Sequence, residues 1–269
     1  MLKRALAAAI LMLPLPVFAQ DAPKPFTVSG SVGLVTDYRF RGVSQSDNNP
    51  AIQGGITVTH ASGFYGGIWG SNLAGWGQFG GANMELDLVG GFKTTFGEGL
   101  NVDVGLTWYM YPGGSDETDF AEPYVKVSTT LGPVNLLVGG AYAPKQQALG
   151  NWSNTPKSRI GSKDDNTYIW TDISAGIPTT GFTVKGHVGY SWGNPGLGPN
   201  GTSVTPTGEY LDYLVGVDYA LGPVVLGVAY VDTDITKKES LYIQPNFSDQ
   251  SNGKSIAAGK VLFSVTAAF

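Results

Sequence analysis

The chain is read first by where its apolar side chains fall. From Phe26 to Phe40 the even positions carry Phe, Val, Gly, Val, Leu, Thr, Tyr and Phe, while the odd positions carry Thr, Ser, Ser, Gly, Val, Asp and Arg. A period of two places alternate side chains on opposite faces of a strand. The run is also longer than the roughly five or six residues usual for a strand of a soluble protein. Similar alternation recurs over Ala51–Thr59, Phe64–Asn72, Met84–Phe96, Leu100–Met110, Ala121–Leu131 and Val134–Tyr142. It continues over Tyr168–Ile177, Phe182–Trp192, Leu211–Tyr219, Val224–Val231 and Val261–Phe269, so the spacing predicts twelve strands in all.

The connections alternate too. Tight turns such as Gly97-Glu98-Gly99, Gly132-Pro133, Thr179-Thr180-Gly181 and Gly222-Pro223 follow the even-numbered strands, and long polar stretches follow the odd ones. The longest run from about Pro144 to Asn166, Gly193 to Gly208 and Asp232 to Lys254. Short turns at one end and long loops at the other characterise bacterial transmembrane barrels, whose termini lie in the periplasm. A β-sandwich has no physical reason to segregate its loops by length. The expected fold is therefore all-β, an antiparallel up-and-down transmembrane β-barrel of twelve strands.

That orientation assigns depth to the apolar positions. Tyr38, Phe40, Trp108, Tyr142, Tyr190, Trp192 and Tyr230 fall near outer strand ends, and Phe26, Phe64, Phe96, Phe182, Tyr219 and Phe269 near periplasmic ends. Two aromatic belts on one parity are what the two interfaces of a bilayer select. A soluble core would not sort its aromatics by depth.

Composition sharpens this picture. Lys3 and Arg4, the apolar run Ala5–Leu13, Pro14 and Pro16, then Val17-Phe18-Ala19 form a secretory leader with a small-residue cleavage site. Residues 1–19 are expected to be removed, leaving 20–269 as one barrel domain exported to the bacterial outer membrane. No other segment approaches the ~20 consecutive apolar residues of a membrane helix. The chain has no cysteine, which excludes disulfides, thiolate nucleophiles and zinc-cysteine sites. Its formal charge of -5 becomes more negative once Lys3 and Arg4 leave, which argues against nucleic acid as a partner.

Specific blocks carry a family likeness. Thr36-Asp37-Tyr38-Arg39-Phe40-Arg41-Gly42-Val43-Ser44-Gln45-Ser46, followed by Ala51-Ile52-Gln53-Gly54-Gly55 and Ser62–Asn72, resembles the opening of the TorF-type porins, a family of small outer-membrane proteins. Glu85-Leu86-Asp87-Leu88 and Tyr109-Met110-Tyr111-Pro112-Gly113 are similar to that family's later blocks. The resemblance implies a channel and supplies no substrate. Phe269, which ends an alternating strand, is similar to the C-terminal signal by which the barrel-assembly machinery recognises such proteins.

The parity opposite the lipid face lines the interior. Arg39, Arg41 and Lys260, on the first and last strands, are the expected basic side of a pore, and Glu85, Asp87 and Glu122, on the fourth and sixth, its acidic side. Closing the barrel sets the two groups across the upper lumen, where a transverse field would orient dipolar or zwitterionic solutes. The alternative is an ion-pair network that fills and closes the barrel, because buried carboxylates and arginines satisfy one another. Asp103, Asp172, Asp212 and Asp218 with Lys93, Lys126 and Lys185 add interior charge of both signs.

Catalytic constellations are poorly supported. His187 and Ser191 share a strand face but stand two same-face steps apart, about 13 Å at normal rise, too far for a nucleophile–base bond. Asp116, Glu117 and Asp119 form an acidic loop that is read as solvated rather than metal-binding, and Trp76 and Phe79 mark an outer loop that either folds inward or meets the membrane. The sequence thus points to a channel for small polar or charged solutes embedded in outer-membrane lipid, with no cofactor, no metal and no enzyme activity expected. A closed structural or surface-interaction barrel is the second reading, and an outer-membrane enzyme the third. Twelve strands bound an interior between the filled eight-stranded barrel and the aqueous sixteen-stranded porin, so size does not choose.

Overall fold

The computed structural model describes residues 25–115, 117–150, 161–198, 202–243 and 246–269, apart from the Tyr242 side chain. The expected leader at residues 1–19, and Asp116 of the acidic loop, lie outside the described residues. The strands are β1 Phe26–Val35, β2 Arg39–Phe40, β3 Val43–Ser44, β4 Ala51–His60, β5 Phe64–Asn72, β6 Met84–Phe96 and β7 Leu100–Met110. They continue as β8 Phe120–Leu131, β9 Val134–Gln146, β10 Asp164–Gly176, β11 Phe182–Gly193, β12 Glu209–Leu221, β13 Val224–Thr233 and β14 Lys260–Ala268, with one short helix, α1 Lys237–Ile243.

Twelve of these strands close an antiparallel barrel in which each pairs with its sequence neighbours and β1 meets β14. β2 and β3 stay outside that sheet as a two-stranded hairpin. Closure leaves no unpaired edge, which a bilayer's hydrocarbon would not tolerate. No helix among the described residues is long and apolar enough to cross a membrane.

The apolar parity faces outward all the way round. Val104 and Val215 are 54% and 67% exposed, and Leu34, Ile52, Ile68, Val125, Ile173 and Phe263 are exposed with them. In water such a surface would be a severe liability; in lipid it is the preferred one. Trp108, Tyr142, Trp192 and Tyr230 lie exposed toward the long-loop end, and Phe26, Phe64, Phe96, Phe182 and Phe269 toward the short-turn end. Inward rings lie flat against the wall where the neighbouring strand has a glycine. A methyl group at Gly105 would fall 2.6 Å from Tyr124 Cζ, and one at Gly139 2.6 Å from Trp170 Cη2. Glycine at these points keeps large aromatics out of the lumen axis.

One expected strand is shortened. The alternation reads on to Phe40, but β1 ends at Val35 and the chain turns into the barrel. Thr36 makes the last wall bonds, its N–H donating to Phe263 O at 2.9 Å and its hydroxyl accepting from Phe263 N at 3.0 Å. Tyr38 and Phe40 therefore do not belong to the outer aromatic belt. Tyr38 is 8% exposed within an interior apolar cluster, and the Phe40 ring packs edge-on against Tyr109 at 5.7 Å. The cause lies in the next residues: Arg41 and Gly42 take φ of +48° and +79°, and Asp47 and Asn48 take +56° and +60°. Backbone of that kind makes turns and cannot continue a strand.

Candidate functional site: the lumen and its inner hairpin

Residues 36–50 hang from β1 into the outer half of the lumen, with the β2–β3 hairpin at their centre. The buried Asp37 carboxylate anchors the base, accepting from Arg39 Nε at 2.7 Å and from the Ser44 hydroxyl at 2.5 Å. Arg39 Nη1 donates to Gly42 O and Ile256 O at 2.9 and 2.8 Å, and its Nη2 to Asn48 Oδ1 at 2.9 Å. Lys260, on β14, donates to Asn48 O at 2.9 Å and lies 3.5 Å from Asp37. Two of the three expected basic residues thus hold the hairpin's base rather than stand free in a pore.

Arg41 reaches furthest. From the hairpin turn it crosses to β8 and β10, where Nη2 donates to Glu122 Oε1 and Nη1 to Asn166 Oδ1, both at 2.6 Å. The pair is nearly dry, with each side chain 5% exposed. The guanidinium also lies 4.2 Å above the Tyr168 ring and 4.8 Å from that of Phe40, favourable positions for a cation over a π face. Glu85 accepts from the Tyr38 hydroxyl at 3.1 and 3.2 Å, so it too holds the inward segment. Asp87, two positions along on the same face, is buried, and its Oδ1 has no hydrogen-bond partner among the described residues. The structure therefore brings Arg41 onto Glu122 directly, where the sequence set the two across an open space. Asn166, Tyr168 and Tyr38 complete this arrangement; nothing local in the sequence marks them, because each joins a distant segment.

Above the hairpin the outer loops pack into a cap. Trp76 meets Phe247 edge-on at 4.8 Å in a cluster with Val43, Tyr210, Ile256 and Ala257, and Phe79 stacks on Tyr111 at 4.6 Å. Of the two fates open to the Trp76–Phe79 loop, folding inward is the one observed. A small space of about 10 Å³ lies between the hairpin and this cap, beside Phe40, Trp76 and Glu85.

Below the hairpin the lumen opens. A cavity of about 540 Å³ runs from Arg41 down to Lys126 and His187, and a second of about 610 Å³ continues from His187 past Asp172 and Lys185 to the periplasmic turns. A third, about 450 Å³, lies beside Lys93, Asp103 and Lys126. His187 Nδ1 is 2.6 Å from Asp172 Oδ1, and Nε2 is 2.9 Å from the Tyr168 hydroxyl and 3.1 Å from Asp212 Oδ1. Ser191 is fully buried and bonds instead to Thr205 at 3.2 Å, so it does not meet His187. Asp119 accepts the Tyr111 N–H at 2.9 Å, and no group of His, Asp and Glu placed to hold a metal is found among the described residues.

The fold has solved relatives in shape. A structure described as a NanC porin in a rhombohedral crystal form superposes with a TM-score of 0.55 at 12% identity, covering 90% of this chain and 99% of the other. A KdgM porin superposes with a TM-score of 0.53 at 9% identity, again covering 90% of this chain and 99% of that one. At such identities the likeness is one of fold, and it makes this barrel porin-like, of the kind found in bacterial outer membranes. No curated protein matches the chain in sequence. A family model matches residues 19–269, almost the whole chain, and the protein therefore belongs to the family described as a bacterial protein of unknown function (Gcw_chp).

Proposed function

We propose that the protein sits in the bacterial outer membrane as a narrow channel for passive diffusion of small polar or charged solutes, with the inner hairpin as its gate. The observation that carries this reading is the contrast along the lumen: adjoining cavities of about 540 and 610 Å³, which share His187 and Leu214 in their walls, lie below a hairpin held by side-chain polar bonds. A solid structural barrel would fill its lower half as well. In this reading Arg39, Lys260 and Glu85 hold the hairpin, Arg41 and Glu122 lock its turn across the upper passage, and Asp87 stands on the same face beside Glu85. The likeness of the opening blocks to TorF-type porins supports the same assignment.

The second reading, a permanently closed barrel, is favoured by the dryness of the Arg41–Glu122 pair. Planar-bilayer recordings separate the two. Wild-type protein is expected to open rarely, and Arg41→Ala, which removes the bonds to Glu122 and Asn166, to raise the open fraction at least roughly tenfold, the equivalent of one charge-assisted hydrogen bond lost from the closed state. Absence of conductance from both folded proteins would establish the closed barrel.

A further inference from the structure

The charges below the hairpin are arranged in an order of their own. Passing around the wall, β6 contributes Lys93, β7 Asp103, β8 Lys126, β10 Asp172, β11 Lys185 and β12 Asp218, so the sign alternates at every step. β9, between Lys126 and Asp172, faces the lumen here with Leu137 and Gly139. All six charged residues lie three to five positions from the periplasmic ends of their strands. They therefore form a belt at one depth. The wall from β13 through β14 and β1 to β4 is different: its inward positions at this depth are Gly227, Ser264, Thr266, Ser29, Ser31 and Thr57, small and uncharged.

The belt is wet, unlike the pairs that hold the hairpin. Lys93 and Asp103 stand 3.7 Å apart with the lysine 58% exposed, and Lys185 and Asp218 pair at 2.6 Å, still partly open to the lumen. Asp172 is 45% exposed beside His187. Lys126 makes no ion pair within 4 Å among the described residues; its ammonium rests 4.0 Å over the Tyr124 ring and borders two of the cavities.

We infer that this belt is a recognition site for small zwitterions, solutes carrying an ammonium and a carboxylate a few ångströms apart. This rests on the channel reading above. Alternating charges on neighbouring strands cancel at the lumen axis, so the belt offers little to a simple ion of either sign. Close to the wall the field reverses over one or two strand spacings of about 4.8 Å each, the span of such a solute with an ion-pair contact at either end. Lys126 takes the carboxylate and Asp172 the ammonium, across strand β9, which is uncharged at this depth and leaves the gap between them. The small uncharged wall opposite provides room without competing charge.

Liposome swelling with refolded protein tests the assignment, using 4-aminobutyrate as the zwitterion and erythritol as an uncharged solute of similar size. Faster entry of the zwitterion is expected, by roughly threefold, the size of one exposed ion-pair interaction. Lys126→Gln and Asp172→Asn should each bring the ratio toward one while moving the reversal potential in opposite directions, to cations and to anions respectively. The double variant should return the reversal potential close to wild type but leave the zwitterion preference lost, a separation that a purely structural role for either residue would not produce. Entry rates ordered by size alone, in wild type and variants alike, would overturn the belt and leave the channel standing. No swelling with any solute, including in Arg41→Ala, would overturn the channel and the belt with it.

Discussion

The upper and lower halves of one lumen carry the same kinds of residue and put them to opposite use. In the upper half Arg41, Glu122, Asp37 and Glu85 are buried; Arg41, Glu122 and Glu85 are hydrogen-bonded to groups on distant segments, and Asp37 accepts from Arg39 and Ser44 of its own hairpin. In the lower half Lys93, Asp103, Asp172 and Lys185 remain in reach of water, and cavities of about 450 and 610 Å³ border them. Inward parity alone does not decide between packed interior and solvated wall. What decides is whether a loop is long enough to enter: residues 36–50 do so at one end, while the opposite end has only tight turns. Charge that is desolvated becomes structural, and charge that stays wet is free to act on a solute.

The sharpest way to break this comparison is to delete one acid from each half. Glu122→Ala leaves the Arg41 guanidinium buried with only Asn166 opposite, and removing one partner of a dry pair typically destabilises by roughly 3–5 kcal/mol. Asp103→Ala removes a 3.7 Å contact to Lys93, already largely exposed, and one hydrogen bond from the Tyr65 hydroxyl at 2.6 Å, so a smaller loss of about 1–2 kcal/mol is expected. Urea unfolding in lipid vesicles measures both. Equal losses would mean that the two halves do not differ in solvation as their geometry states.

The outside of the barrel should be indifferent to this division. Val104 faces lipid near the middle of β7, and Val104→Arg is expected to destabilise by roughly 2–4 kcal/mol at the bilayer midplane. Thr107→Arg, three positions along on the inward parity and bordering the large cavity, should be milder by at least about 1 kcal/mol, since its guanidinium reaches water. The same unfolding assay serves, and a milder effect at Val104 would reverse the assignment of faces.

These expectations depend on which features the sequence displays locally. The two faces were legible because a period of two needs only neighbouring residues, and the orientation because loop length is visible directly. Phe64–Asn72 and Leu100–Met110 come out with the bounds their alternation implies. β1 shows where that logic ends: Thr36, Tyr38 and Phe40 keep the parity of the wall after the chain has left it, since the rings that suit a lipid interface also suit a packed interior. The destination of Arg41 was not legible either. Its partners Glu122 and Asn166 are 81 and 125 residues away, and only barrel closure brings them into reach. The belt charges were readable as interior one by one, whereas their common depth depends on the register between strands.

The cap offers the smallest and most local test of the division. Asp249 closes the loop over the hairpin: its carboxylate accepts from the Ser251 hydroxyl at 2.6 Å, the Ser251 N–H at 2.9 Å and Asn48 Nδ2 at 3.2 Å. Hydrogen bonds from Ser251 above all hold its pKa down to about 2, below the ordinary carboxylate value of about 3.9. A carboxyl depressed in this way contributes stability that is complete above about pH 4 and is lost as the pH falls through 2. The contribution is on the order of 1 kcal/mol for a loop at the solvated rim. It should appear in hydrogen exchange of the 249–258 amides, with protection in the wild type declining between pH 4 and 2 more steeply than in Asp249→Asn. The lower lumen has no part in these bonds, so amides of β11 and β12 should show the same pH dependence in both proteins. A wild-type and variant difference that spread to those strands would show that cap, hairpin and belt respond as one unit, and that the two halves of the lumen are not separable.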